Sequence, residues 1–282
     1  MTDARTRRGA GRPDAMDAPE QLEHLHARDP VHILDKPALA GQPPRLGRPA
    51  AFFILFGSVF YFSALTIEGL LRPDFHAANM LISELALGPW GWIQGVNFIV
   101  FGLSILLFAL AVALEFGATR PARIGVTLLA FIGICTVASG IFVIDPVPVS
   151  GVIIKFAEIH PRAASFHSKF HYVLGTTAFV LAPISCFCFV IADPQSINPA
   201  WQAFRRWSLV LGIAMLLGLT LLKVSTLPLE TNPLRAWYGL VQRAMVLAFI
   251  IWLFKFGLVM LRHSAGNGEA DTVPATASSA IS

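Results

Sequence analysis

Six apolar stretches are the strongest constraint on this 282-residue chain. Each is long enough to cross a membrane, because a helix of about 20 residues, rising about 1.5 Å per residue, spans a hydrocarbon core of about 30 Å. In lipid, only helices and closed barrels satisfy their backbone hydrogen bonds. The sequence therefore predicts an all-α, polytopic bundle of six transmembrane helices. The predicted spans are 51–71, 92–114, 124–144, 168–192, 207–227 and 237–261.

The charge content supports the same class. Only 13% of the residues are charged, against about 25% in an ordinary soluble protein. The net charge of +4 would suggest nucleic acid in a soluble chain. Here lysine and arginine flank membrane spans, where they face anionic headgroups. We therefore expect the lipid bilayer as a partner and no nucleic acid.

The two ends of the chain differ from its middle. Residues 1–49 carry eight Lys or Arg and seven Asp or Glu without an apolar run, a composition typical of disorder. Residues 263–282 are rich in Ala, Ser and Gly. The predicted organisation is a disordered cytoplasmic tail, a six-span membrane domain over 50–262, and a second disordered tail.

The distribution of basic residues near the span ends predicts the orientation. Cytoplasmic loops carry an excess of Lys and Arg. Seven basic residues flank one set of span ends and five flank the other, which places both termini in the cytoplasm of a multi-pass plasma-membrane protein. The two sets are Arg45, Arg48, Arg120, Arg123, Arg205, Arg206 and Arg262 against Arg72, Lys155, Arg162, Lys169 and Arg235.

The segment 141–171 holds the densest group of titratable residues between spans. Alternation of the helices brings it to the same predicted extracytoplasmic side as the first hairpin and the start of the sixth span. Polar groups in or beside spans tend to face the bundle interior or water. The sequence therefore predicts a polar binding site formed by Ser83, Glu84, Asp145, His171 and Arg243.

Arg243 lies inside the sixth span, roughly 8 Å below its end at 1.5 Å per residue. Three interpretations stay open. The side chain reaches the headgroups, it pairs with Glu84, Asp145 or Glu68, or it holds an anionic group of a ligand.

His167 and His171 are four residues apart, which places both imidazoles on one helical face. This spacing is the usual helical half of a metal site. With Asp145 or His160 as a third ligand and Glu84 as general base, the pattern suggests zinc. The alternatives are a hydrated helix entry and proton-linked or anion-binding chemistry.

Glycines recur inside the spans. Small residues in membrane helices commonly allow close helix packing. We expect this role for Gly57, Gly102, Gly140, Gly175 and Gly212.

Four short motifs carry a family resemblance. NMLISELALGP precedes the second span, GIFVIDP closes the third, SKFHYVLG opens the fourth and GLVQRAMVL lies in the sixth. Over about residues 51–261 the chain resembles the uncharacterised six-helix membrane proteins known as domain of unknown function 998. The resemblance implies a six-span bundle and no established activity. It singles out the same residues, Ser83, Glu84, Asp145, His171 and Arg243, although the family more often has aspartate where Glu84 stands.

A weaker similarity is to membrane hydrolases of the alkaline ceramidase type. The matching set would be Ser83, Asp145, His167 and His171. The chain departs from that type in span number, and its histidine pair opens the fourth helix rather than lying in the last.

Three functions follow as hypotheses. The first is binding or transport of a small or lipidic molecule through the polar site. The second is a metal-dependent membrane hydrolase acting on lipid, with His167, His171 and Asp145 as ligands of zinc. The third is a structural or accessory membrane protein whose polar cluster stabilises helix packing. The sequence does not decide whether the protein is an enzyme.

Overall fold

The structure is a computed structural model that describes residues 46–145, 165–193, 195–225, 227 and 232–270. It confirms an all-α chain with six long helices. These are α1 (Gly47–Leu71), α2 (Gly91–Phe116), α3 (Arg120–Ile141), α4 (Phe166–Val190), α5 (Pro199–Ser225) and α6 (Tyr238–Ala270), with short 3₁₀ helices at Ile82–Ala86 and Pro233–Trp237. The predicted tails lie mostly outside the described residues.

Helices α3 and α5 begin at polar capping residues. Thr119 accepts a hydrogen bond from the amide of Ala122 at 3.3 Å at the start of α3. The Asn198 side chain accepts from the amide of Ala200 at 3.0 Å. Such side chains satisfy backbone N–H groups that have no partner within the helix. They explain why α3 and α5 begin before the apolar spans at 124 and 207.

The sixth helix also extends beyond its predicted limit of 261. It runs to Ala270, so the first residues of the predicted tail, which was placed at 263–282, are helical. The His263 ring packs against Phe116, with 5.1 Å between the centroids. This contact gives the added turn a partner on α2.

The six helices close into a ring. Each packs against the helix that follows it in the chain, and α6 packs against α1. The ring has two different ends. At one, which we call the aromatic end, α2, α4, α5 and α6 fill the interior with rings, including Phe204 and Phe256 at 4.5 Å and Phe116 and Trp201 at 5.8 Å between centroids. At the other, which we call the cavity end, the first 3₁₀ helix and the N-termini of α4 and α6 meet.

Glycines bring α2 and α3 together. A Cβ added at Gly140 would lie 2.5 Å from the carbonyl oxygen of Gly95, and one at Gly102 would lie 2.6 Å from the amide nitrogen of Val137. The expected packing role is therefore correct for these glycines. It is wrong for Gly175, where an added Cβ would meet no described atom within 4 Å. Gly175 instead faces open space inside the bundle.

A candidate ligand-binding cavity

Two adjoining cavities occupy the interior at the cavity end. The smaller, which we call the deep chamber, has a volume of about 100 Å³. The larger, the wide chamber, has a volume of about 280 Å³. They share five lining residues, which we call the shared wall. These are Ser83, His171, Gly175, Phe179 and Gln242.

The deep chamber is mainly apolar. Aromatic and aliphatic side chains of four helices surround it, including Phe101, Ile132, Met215 and Phe249. No described Asp, Glu, Lys or Arg side chain lines it. A volume this small with such a lining suits an apolar group rather than a cluster of waters.

The wide chamber is also mainly apolar, but its lining includes a charged side chain. Lys223 and Tyr238 line it together with Ser83, His171 and Gln242. Tyr238 is only 3% exposed, and its hydroxyl has no hydrogen-bond partner among the described residues. Most buried polar groups are paired, so this hydroxyl marks a place where a ligand atom or a water would be stabilised.

His171 is buried at the start of α4 and held in one orientation. Its Nδ1 lies 2.7 Å from the carbonyl oxygen of Phe142 and 3.1 Å from that of Ser139. Carbonyl oxygens only accept, so Nδ1 carries the proton and donates. In the neutral ring, Nε2 is then an acceptor. The described part of the chain gives Nε2 no partner.

The orientation of the side-chain amide of Gln242 on α6 also follows from its hydrogen bond. Its Oε1 accepts a hydrogen bond from the amide of Ile82 at 2.8 Å. Because an amide N–H only donates, the side-chain oxygen must face Ile82 and the NH₂ group must face away. That NH₂ group makes no hydrogen bond within the described part of the chain and remains a donor at the shared wall.

Ser83 and Glu84 lie on the first 3₁₀ helix and point to different surroundings, as expected for adjacent residues. Ser83 lines both chambers. Glu84 is 2% exposed and lines neither. Its Oε1 accepts from the amide of Leu81 at 2.8 Å, and Oε2 is buried without a described partner. Burial raises the pKa of Glu84 above its usual value.

Arg243 anchors the loop that leads to Ser83. Its Nη1 donates to the carbonyl oxygens of Met80 at 2.8 Å and Ala77 at 2.9 Å. The guanidinium lies 5.2 Å from the centre of the Phe75 ring, a cation–π arrangement. Within the described chain, no carboxylate oxygen lies within ion-pairing distance of Arg243. The expected pairing with Glu84, Asp145 or Glu68 is therefore not formed there, and backbone carbonyls are the partners instead.

Arg72 holds the same loop from its other side. Its Nη1 donates to the carbonyl oxygens of Leu85 at 2.9 Å and Leu87 at 3.0 Å. Bonds from a charged donor are stronger than neutral ones. Two arginines from α6 and the end of α1 thus fix the 3₁₀ helix that carries Ser83 over the cavity.

Asp145 lies outside both chambers. Its carboxylate accepts two hydrogen bonds from Ser165, one from the amide at 2.7 Å and one from the hydroxyl at 2.6 Å. These bonds lower the pKa of Asp145. Ser165 is also the N-cap of α4, accepting from the amide of Ser168 at 3.1 Å. Asp145 thereby joins the end of α3 to the start of α4.

The three predicted metal ligands have different surroundings and partners. His167 is exposed and packs against Phe142, with 5.4 Å between the rings. Its neighbour His171 is buried at the shared wall, and Asp145 is bonded to Ser165. Within the described residues, no group of three or more His, Cys, Asp or Glu side chains is placed to hold a metal. His160 lies outside those residues, and zinc stays a prediction.

The structure adds residues that sequence reasoning did not select. Gln242 and Gly175 belong to the shared wall, and Tyr61 lines the deep chamber. A glutamine beside Arg243 in an apolar helix was a usable signal, because polar groups in spans are costly and usually functional. Tyr238 was also predictable as an aromatic residue near the membrane surface, but the structure buries it. Gly175 had no sequence signal that separates it from the packing glycines.

Six helices long and apolar enough to cross a membrane, closed around a lined cavity, define a multi-pass helical membrane protein. The chain belongs to the family described as "Protein of unknown function (DUF998)", whose model matches residues 55–259. This confirms the resemblance seen in the sequence. The match includes every residue that lines the two chambers. Comparison with curated proteins and with solved structures gives no significant match.

Proposed function

We propose that the protein binds a small amphipathic or lipidic molecule in the two chambers. The observation that carries the proposal is the shared wall. Three side chains with hydrogen-bonding groups, Ser83, His171 and Gln242, lie where two mainly apolar chambers adjoin. Ligand sites are typically apolar cavities with a few placed polar groups.

The polar groups of this wall are fixed before any ligand arrives. His171 is held by two carbonyl oxygens, Gln242 by the amide of Ile82, and Ser83 by a loop anchored through Arg72 and Arg243. Preorganisation reduces the entropy lost on binding. The bonds of His171 and Gln242 also leave one hydrogen-bonding group of each side chain without a described partner, Nε2 of His171 and the NH₂ group of Gln242.

Substitution of Gly175 tests the proposal. Gly175→Leu places a side chain on the shared wall, where an added Cβ meets no described atom within 4 Å, so it should fill part of the cavity. Gly175→Ala is the matched control. Native mass spectrometry of the full chain in detergent should show a co-purified lipid, or bound 1-decanol when this probe is added. Wild type and Gly175→Ala should bind, and Gly175→Leu should bind at least tenfold more weakly.

Two results would contradict the proposal. One is a Gly175→Leu variant with wild-type helical content that binds the same molecules equally well. The other is a wild-type protein that carries no lipid and takes up no decanol. Either result would favour the structural or accessory hypothesis.

The metal-dependent hydrolase hypothesis makes a separate prediction. Purified protein should contain stoichiometric zinc that is lost in His171→Ala. The geometry favours the binding proposal, because His167 is exposed and both oxygens of Asp145 accept from Ser165. A zinc content near one per chain would reverse that preference.

We also propose that the cavity end faces away from the cytoplasm at the plasma membrane. The excess of arginine at the opposite span ends supports this orientation. Trp90 and Ile197 are exposed at the cavity end and the aromatic end, respectively. In intact cells, a membrane-impermeant maleimide should label Trp90→Cys and leave Ile197→Cys unlabelled. The reverse labelling pattern would refute the orientation.

A further inference from the structure

We propose that the head group of the ligand both donates and accepts hydrogen bonds, as a hydroxyl or primary amide does. It would lie at the shared wall, with its apolar chain in the deep chamber. This inference rests on the proposed function and narrows it to a chemical class. It comes from the hydrogen-bonding roles of His171 and Gln242.

The acceptor on the wall is Nε2 of His171. The two carbonyl oxygens at Nδ1 fix the proton on that nitrogen, which leaves Nε2 with a lone pair. The residue is 5% exposed, and it lines both chambers. A ligand that donates a hydrogen bond there removes an unpaired polar atom.

The donor on the wall is the side-chain NH₂ of Gln242. Its orientation follows from the bond between Oε1 and the Ile82 amide. Gln242 is 6% exposed, and it lines both chambers together with His171. A ligand that only donates would leave this group unpaired, and one that only accepts would leave His171 unpaired. A hydroxyl or primary amide satisfies both.

The hydroxyl of Ser83 lies at the same wall and has no described partner. A hydroxyl donates and accepts, so Ser83 adapts to either requirement and does not set the selectivity. Substitutions of Ser83 and of His171 should therefore have different effects on the preference for a ligand that donates a hydrogen bond.

The apolar chain is assigned to the deep chamber for two reasons. No described Asp, Glu, Lys or Arg side chain lines that chamber, and its surface is mainly aromatic and aliphatic. The wide chamber carries Lys223 and the buried hydroxyl of Tyr238. The polar remainder of a larger ligand therefore belongs on the wide-chamber side of the wall.

The experiment compares two pairs of probes in which one member lacks the hydrogen-bond donors of the other, namely the single O–H of the alcohol or both N–H groups of the primary amide. The pairs are 1-decanol against decyl methyl ether, and decanamide against N,N-dimethyldecanamide. Affinities are measured on the full chain in detergent by ligand-dependent thermal shift. Wild type should prefer the donor-bearing member of each pair by roughly ten- to a hundredfold, the effect of leaving one buried acceptor unpaired.

Two variants locate the acceptor. In His171→Phe the preference for decanol over the ether should fall to near one, while the ether still binds and shows that the variant is folded. In Ser83→Ala the preference should persist. A preference that disappears in Ser83→Ala and persists in His171→Phe would overturn the assignment to His171.

Different results would contradict the head-group class and the binding of a ligand in the cavity. If wild type binds both members of each pair equally, and Gly175→Leu weakens both, the head-group class is wrong and the proposed cavity stands. If the wild type carries no co-purified lipid and binds no probe, the proposed function fails as well. If the ether and the dimethylamide bind more tightly than their partners, the donor requirement is refuted directly.

Discussion

Replacement of Arg243 by methionine should destabilise the protein by about 3 kcal/mol, because hydrogen bonds from charged donors contribute about 1.5–3 kcal/mol each. The variant loses the bonds from Nη1 to Ala77 and Met80. It also loses the cation–π contact with Phe75, while the methionine side chain preserves most of the apolar stem. The bond to Gly239 is within the same helix and is not counted.

The assay is reversible unfolding in mixed micelles of dodecyl maltoside and sodium dodecyl sulfate. Arg243→Lys should recover less than half of the loss, since an ammonium lacks the planar geometry of the guanidinium. Arg243→Met should also weaken decanol binding, because Arg243 fixes the loop that carries Ser83. Arg243 itself lines neither chamber.

A double-mutant cycle separates this role from an ion pair. Glu84→Gln retains the oxygen that accepts from Leu81 and removes the charge. The coupling with Arg243→Met should stay below about 1 kcal/mol, whereas breaking a buried ion pair costs about 3–5 kcal/mol. A coupling above about 2 kcal/mol would refute the reasoning and identify Glu84 as the main partner of Arg243.

Three further predictions concern pH and packing. Burial raises the pKa of Glu84 above 4.5, so the folded state holds this proton to higher pH than the unfolded state. Stability should therefore fall as pH rises from about 4.5 through the folded pKa, and titrations of Glu84→Gln should lack that slope. Ser165→Ala should lower the stability by about 1 kcal/mol in the unfolding assay, because the N-cap of α4 is lost. It should also raise the pKa of Asp145 in carboxyl NMR titrations. An unchanged pKa would contradict the observed bonds. Gly140→Ala should destabilise the protein by about 1–3 kcal/mol through overpacking. Gly175→Ala should stabilise it by about 0.5–1 kcal/mol. Equal effects of the two substitutions would refute the difference in packing.

Two of the residues selected from the sequence line the cavity, and a third, Arg243, anchors the loop that carries Ser83. His171 and Ser83 were selected as polar groups on the correct side of the bundle, and both line the chambers. Arg243 was selected as an ionisable group inside a span. Its partners are backbone carbonyl oxygens rather than one of the predicted carboxylates. A sequence gives the cost of placing a charge in lipid but not the carbonyl oxygens that offset this cost.

The position of Asp145 shows the limit of the same reasoning. Its predicted neighbourhood at the end of the third span is correct, but its carboxylate is bonded to Ser165 rather than directed at the cavity. Ser165 binds the carboxylate because it is the N-cap of α4 and offers both an amide and a hydroxyl. Such local competition depends on how the two helix ends meet, and spacing along the chain does not encode it.

The sequence by itself determined the membrane class, the six helices and the family, because hydrophobic length and backbone hydrogen bonding in lipid leave few alternatives. Tertiary structure decided which end of the ring is filled and which is open. Aromatic residues from four helices meet at one end, while at the other Gly175 leaves space beside His171 and Gln242. Whether a glycine closes a helix contact or opens a cavity depends on what faces it across the bundle. That property belongs to the packed helices and not to any one segment.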